Sequence, residues 1–262
     1  MMISMNDTEN TELKTGPESG SGEPKEKLFT TREEFEAQAE DIFATMNQAL
    51  NEGKPLREGY RIASEAYVQQ EENPDLRQLA DLILAAPAAA RAHEQLATMR
   101  QQRSQRLDRQ AFERLKNQVI GYNDSLRNFI FTNSSQVDRS TMTEWVEKGS
   151  NGNTEWTKQV MSGIAAEVAV ARQIQRTEGV ASIRFSTPEE ERKGIDIVAT
   201  FSDGETLSID VKHRHEDSEY VPEYRDDKIN FEISPDEING FEVDAPYQKT
   251  ISTNFLRLAD RD

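Results

Sequence analysis

The sequence predicts an α/β (α+β) fold, with a mixed sheet flanked by helices in the C-terminal part, preceded by an all-helical region and a disordered acidic tail. Three observations predict it. Apolar residues recur at helical spacing from Phe35 onward, the pattern changes to two-residue alternation after Gly179, and residues 1–28 show neither period. The chain divides into a tail over 1–28, a helical region over 29–131, a linker or long surface loop over 132–154, and an α/β domain over 155–262.

The tail is rich in Asn, Thr, Glu, Ser, Gly and Pro and contains Ser19-Gly20-Ser21-Gly22, a composition that buries too little to offset ordering entropy. Thr31-Arg32-Glu33-Glu34 then forms a capping box, in which the threonine hydroxyl and the glutamate each satisfy an orphan backbone donor. Phe35, Ala39, Ile42, Phe43, Met46 and Leu50 follow on one helical face, and Gly53 with Pro55 supplies the stop. A second amphipathic helix carries Tyr60, Ile62, Ala63, Ala66 and Tyr67 and ends near Asn73-Pro74; a third starts at Asp75 with Leu76, Leu79, Leu82 and Ile83. Residues 88–119 are rich in Ala, Gln, Arg, Glu and Leu without Gly or Pro until 121, which predicts a long, exposed helix or coiled-coil-like arm. The Asn, Ser, Thr and Gly content of 132–153 gives the expected linker. Trp156, Val160, Ile164, Val168, Ala171 and Ile174 then return to helical spacing, and strands and a closing helix follow Gly179.

Residues 194–212 read as a β-hairpin turning at Asp203-Gly204. Ile195, Ile197, Ala199 and Phe201 share one face of the first strand, and Leu207, Ile209 and Val211 share one face of the second. A two-residue loop would put these sets on opposite faces, so burial rejects it. A three-residue loop, Ser202-Asp203-Gly204 with Gly204 left-handed, restores the match and sets Asp196 directly opposite Asp210. Both then share the polar face with Lys212, with opposed β carbons about 4.5–5.5 Å apart.

Composition excludes several classes. Forty-eight acidic residues against 31 basic ones give a net charge of −17, which opposes broad, non-specific nucleic-acid binding but not a local basic site. Without cysteine there is no disulfide and no thiolate-held metal, and a cytoplasmic location is expected. The longest apolar run, 82–86, is far too short for a membrane span, and no secretory leader is predicted. Gly-x-Ser-x-Gly and P-loop motifs are absent.

Two carboxylates directly opposed on a sheet are destabilising unless a cation or proton separates them, and a divalent ion is the economical answer. Magnesium (or manganese) suits oxygen ligands of this kind. A lysine beside it can orient water and stabilise charge at phosphorus, the division of labour of phosphodiester hydrolysis.

Asp196 followed fourteen residues later by Asp210-Val211-Lys212 resembles the signature of the PD-(D/E)XK nuclease superfamily, which includes restriction endonucleases and Holliday junction resolvases. Gly163-Ile164-Ala165-Ala166-Glu167 is similar to the Gly-x-x-x-Glu of the first core helix in its resolvase-like branch. The resemblance spans about 155–215 and implies a restriction-endonuclease-like core and a metal-dependent endonuclease acting on nucleic acid, with DNA expected. It makes Glu167, Asp196 and Asp210 the metal ligands and Lys212 the catalytic lysine, and it implies a homodimer. Asp210 stands where glutamate is commoner, and the polar stretch 216–227 offers no clear second core helix.

Nucleic-acid contact is expected from Arg214, beyond Lys212 on the polar face, and from the arginine row Arg103, Arg106 and Arg109. Blander readings stand beside these: a surface hairpin with a cross-strand ion pair, a solvated helix face for Glu167, and a solvated arginine face. His213-Arg214-His215 lacks a third ligand for zinc, and Trp145 and Trp156 read as core anchors. The alternative class is a non-catalytic protein of nuclease-like fold, or a virion or mobile-element accessory protein, binding a protein partner through the N-terminal helices; a phage-encoded chain would be virion-associated.

Overall fold

The computed structural model describes residues 30–101, 108–213, 223–225 and 228–259. The chain is a mixed helix and sheet protein with an N-terminal helical region. Helix α1 (Arg32–Asn51) opens on the expected capping box, with the Thr31 hydroxyl accepting from the Glu34 N–H and the Glu34 carboxylate accepting from the Thr31 N–H at 2.7 Å. Phe35, Ala39, Ile42 and Met46 are buried, but Leu50, placed on the same face by spacing, is 43 % exposed because it falls in the last turn, beyond the packed stripe.

Helix α2 (Leu56–Ser64) runs into a π-helical turn (Glu65–Gln69) and stops short of Asn73-Pro74. Pro74 itself opens α3 (Pro74–Gln101), where its missing N–H is one that a first turn leaves unused. The long arm expected over 88–119 is instead parts of two helices: α3 continues through Pro87, and α4 (Arg109–Asn133) packs back along it. The alanine-rich run is an interface and not an exposed face, with Ala89, Ala90, Ala92 and Leu96 buried. Small side chains there let helix axes approach.

The expected linker 132–154 holds a helix, α5 (Arg139–Gly149), with Asp138 capping the Thr141 N–H at 2.9 Å and Met142, Trp145 and Val146 buried. Pro87 donates no hydrogen bond to the Ile83 carbonyl one turn earlier, and the end of α5 lies against that carbonyl. A β carbon on Gly149 would stand 2.6 Å from the Ile83 oxygen, so the approach needs glycine.

Helix α6 (Thr154–Gln175) joins the two halves of the protein. Ile164, Ala165 and Val168 belong to the helical core with Phe35, Leu79 and Phe129, whereas Ala166, Ala169, Val170 and Ile174 belong to the core under the sheet. The sheet has the order β1-β2-β3-β5-β4. Strands β1 (Val180–Phe185), β2 (Ile197–Phe201) and β3 (Thr206–His213) are antiparallel; β5 (Lys228–Ile233) is parallel to β3, and β4 (Glu223–Arg225) is antiparallel to β5. A short helix, α7 (Pro188–Arg192), links β1 to β2. After a small ribbon of β6 (Ile238–Asn239) and β7 (Glu242–Val243), α8 (Ala245–Ala259) lies beside α6 and packs Phe255 against Phe201 at 5.5 Å. The stretch 216–227 lies largely outside the described residues; its described part is β4. Among the described residues no helix is long and apolar enough to cross a membrane.

Candidate active site

The hairpin has the expected register. Ile197 pairs with Ile209 and Ala199 with Leu207, the loop is Ser202-Asp203-Gly204, and Gly204 is left-handed at φ 91°. Extended one position, that register aligns Asp196 with Asp210. The Asp196 N–H donates to the Ile209 carbonyl at 2.8 Å, and its carboxylate accepts from the Val211 N–H at 2.7 Å, fixing it against β3.

Asp210 is only 4 % exposed, so it is not a solvated surface carboxylate, although it does form a cross-strand ion pair with Lys228. Its two oxygens face different lysines: Lys212 at 2.6 Å and Lys228 at 3.0 Å. Lys228 also donates to the Gly194 and Lys193 carbonyls at 2.9 and 3.2 Å, so each ammonium proton has an acceptor. Gly194 makes this possible, since it sits at φ 72° and a β carbon there would come within 2.8 Å of the Lys228 ammonium. Two lysine ammoniums thus offset the Asp210 charge. Lys212, unlike Lys228, keeps more than half its side chain exposed.

Glu167 approaches from α6 and acts electrostatically on Asp196 and Lys212. It is not a solvated helix residue, because it is ion-paired to Arg127 of α4, whose side chain is 3 % exposed. The same guanidinium bonds Asp124 and lies over the Phe185 ring, 4.8 Å from its centroid. Asp124 in turn interacts electrostatically with Glu191 of α7.

Burial, with the neighbouring charges of Glu167 and Asp210, pushes the Asp196 carboxyl up to about 7. Burial and the Asp124 charge push Glu191 up to about 7 as well. Burial also raises Glu167, with Arg127 opposing it. Partial burial works against the Lys212 ammonium, but Asp210, Asp196 and Glu167 raise it on balance. With every group ionised, the five carboxylates of Asp124, Glu167, Glu191, Asp196 and Asp210 exceed the three cations of Arg127, Lys212 and Lys228 by two charges.

The four residues predicted to form the site, Glu167, Asp196, Asp210 and Lys212, are thus in one place. Of the predicted arginines only Arg109 lies among the described residues, and it is not brought to the site. Arg109 is exposed at the start of α4, eighteen residues from Arg127, or about 27 Å along the helix. Arg103, Arg106, Arg214 and His215 lie outside the described residues. Trp145 and Trp156 are core residues, 6 % and 3 % exposed. Among the described residues, no three Asp, Glu or His side chains are gathered as a metal-holding group.

Sequence reasoning missed Arg127, Asp124, Glu191 and Lys228. Arg127 left one signal: it stands three residues before Ile130 and seven after Ile120, a charge within a buried helical stripe. Lys228 left none, because the parallel pairing of β5 with β3 is not encoded locally. No family model, curated protein or solved structure matches the chain.

Proposed function

We propose that the chain is a metal-dependent nuclease that hydrolyses phosphodiester bonds of nucleic acid, with DNA as the expected substrate, on a restriction-endonuclease-like core. The observation that carries the reading is the hairpin register, which sets Asp196 against Asp210 with Lys212 beyond them while α6 supplies Glu167. A helix preceding three antiparallel strands, with a further strand parallel to the third, also fits such a core.

The donor set suits magnesium or manganese, being all carboxylate. Glu167, Asp196 and Asp210 would hold the ion once drawn together around it, since they are not gathered as a metal-holding group without it. When bound, it would supply charge stabilisation at phosphorus and a more acidic water. The protein's own contribution follows from its side chains. Lys212, anchored to Asp210 yet exposed, orients the attacking water and stabilises the charge that develops on the phosphate oxygens. Lys228 stays with Asp210 and the two backbone carbonyls and keeps that carboxylate fixed.

Calorimetric titration with Mn2+ tests the reading. One ion bound per chain, lost in Asp196→Ala, supports it. A folded wild type that takes no ion refutes it, and favours the second reading, a nuclease-like fold used for protein binding. That second reading draws its support from the ion pairs that already engage Glu167 and Asp210.

A further inference from the structure

We infer that Arg127, supplied by the helical region, is a positioning residue for the candidate site, its guanidinium holding Glu167 in place while Asp124 and the Phe185 ring hold the guanidinium. The inference rests on the nuclease reading of that site. Arg127 is almost wholly buried and spans three elements: it is rooted in α4, paired with Glu167 of α6, and stacked on Phe185 of β1. A planar fork with one arm on each of two carboxylates fixes direction as well as charge, which a lysine ammonium does not. Arg127 takes Glu167 Oε2, and no hydrogen bond engages Oε1 among the described residues.

Without the arginine, Glu167 would lie partly buried among Asp124, Asp196 and Glu191 with no cation fixed to it. With its Oε2 no longer engaged, the carboxylate is free to turn, and it ceases to be an oriented metal ligand. Two effects of removing Arg127 therefore oppose each other. Loss of Glu167 as an oriented ligand weakens divalent binding, whereas relief of cation repulsion strengthens it. The inference requires the first to win. It also makes the site composite: α4, from outside the segment that resembles a nuclease, completes it.

The test is Mn2+ binding by calorimetry, and the Mn2+ concentration for half-maximal cleavage, on wild type, Arg127→Met, Arg127→Lys and Asp124→Asn, with circular dichroism melts of each. Arg127→Met is expected to weaken binding and raise the half-maximal concentration by about tenfold or more, as loss of an outer support does at metal sites. Arg127→Lys recovers part of this, and Asp124→Asn shifts both in the same direction by less. Should Arg127→Met fail to fold, the two milder variants decide. Unchanged or tighter binding in the folded variants overturns the inference. A folded wild type that binds no Mn2+ overturns the nuclease reading and this inference together, whereas a wild type that binds and cleaves, matched by its Arg127 and Asp124 variants, overturns this inference alone.

Discussion

Gly194→Ala isolates the contact that ties the hairpin to β5. Two costs add at this position. An L residue in the left-handed region costs about 1–2 kcal/mol. Gly194 sits at φ 72°, and its new β carbon would meet the Lys228 ammonium at 2.8 Å and Asp210 Oδ2 at 3.4 Å. Lys228 must then leave acceptors that it now holds at 2.9–3.2 Å. A hydrogen bond to a charged group is worth about 1.5–3 kcal/mol, and Lys228 is 15 % exposed, so little of that is lost to screening. The expected total is about 2.5–5 kcal/mol. Gly204→Ala supplies the control, since Gly204 is also left-handed at φ 91° but its β carbon would meet nothing within 4 Å. It should cost only about 1–2 kcal/mol. Urea denaturation of the two variants at one pH reads the difference. Equal losses would refute the reasoning, because they would mean that Lys228 yields without consequence.

Gly149→Ala forces α5 away from the Ile83 carbonyl, which the new β carbon would approach to 2.6 Å, and should destabilise by about 1–3 kcal/mol in urea. Phe255→Ala empties a site that is 0 % exposed and stacked on Phe201, and about 3–5 kcal/mol should be lost by the same measurement. The pH profile of the metal-free chain has a stated sign. Asp196 and Glu191 bind protons more tightly folded than unfolded, each lying at about 7 against ordinary values of 3.8 and 4.5. Their contribution is fully present below those ordinary values and is lost as pH rises through about 7, so stability should fall across that window. Asp138 and Glu190, held down to about 2 by hydrogen bonds and arginine partners, act the other way and only in acid. Melting curves from pH 4 to 8 check this, and a flat or rising profile would contradict it. Mn2+ at a hundredfold excess over its dissociation constant should restore about 2.7 kcal/mol at the alkaline end.

What the sequence makes legible is local. The Thr31 box reads directly because its two hydrogen bonds lie within four residues, and the hairpin register follows from parity, since a slip of one would expose Ile197 and Ile209. Helix α5 was hidden by the Asn, Ser, Thr and Gly residues around it, although Asp138 at its N-cap and Met142, Trp145 and Val146 at helical spacing mark it. Helix α3 passes through Pro87, because the buried packing around it outweighs one lost hydrogen bond. The candidate site shows the same division. Asp196, Asp210 and Lys212 lie within one hairpin and were visible; Arg127, forty residues before Glu167, and Lys228, eighteen after Asp210, reach it only through tertiary packing.

Cleavage is the most direct test of the nuclease reading. Purified protein is incubated with labelled duplex, single-stranded and four-way-junction DNA and with structured RNA, in magnesium and in manganese, beside a Lys212→Ala variant of matched melting temperature. The predicted result is cleavage of at least one substrate that requires both the metal and Lys212. Cleavage that persists undiminished in Lys212→Ala, or none from the folded wild type on any substrate, would contradict it.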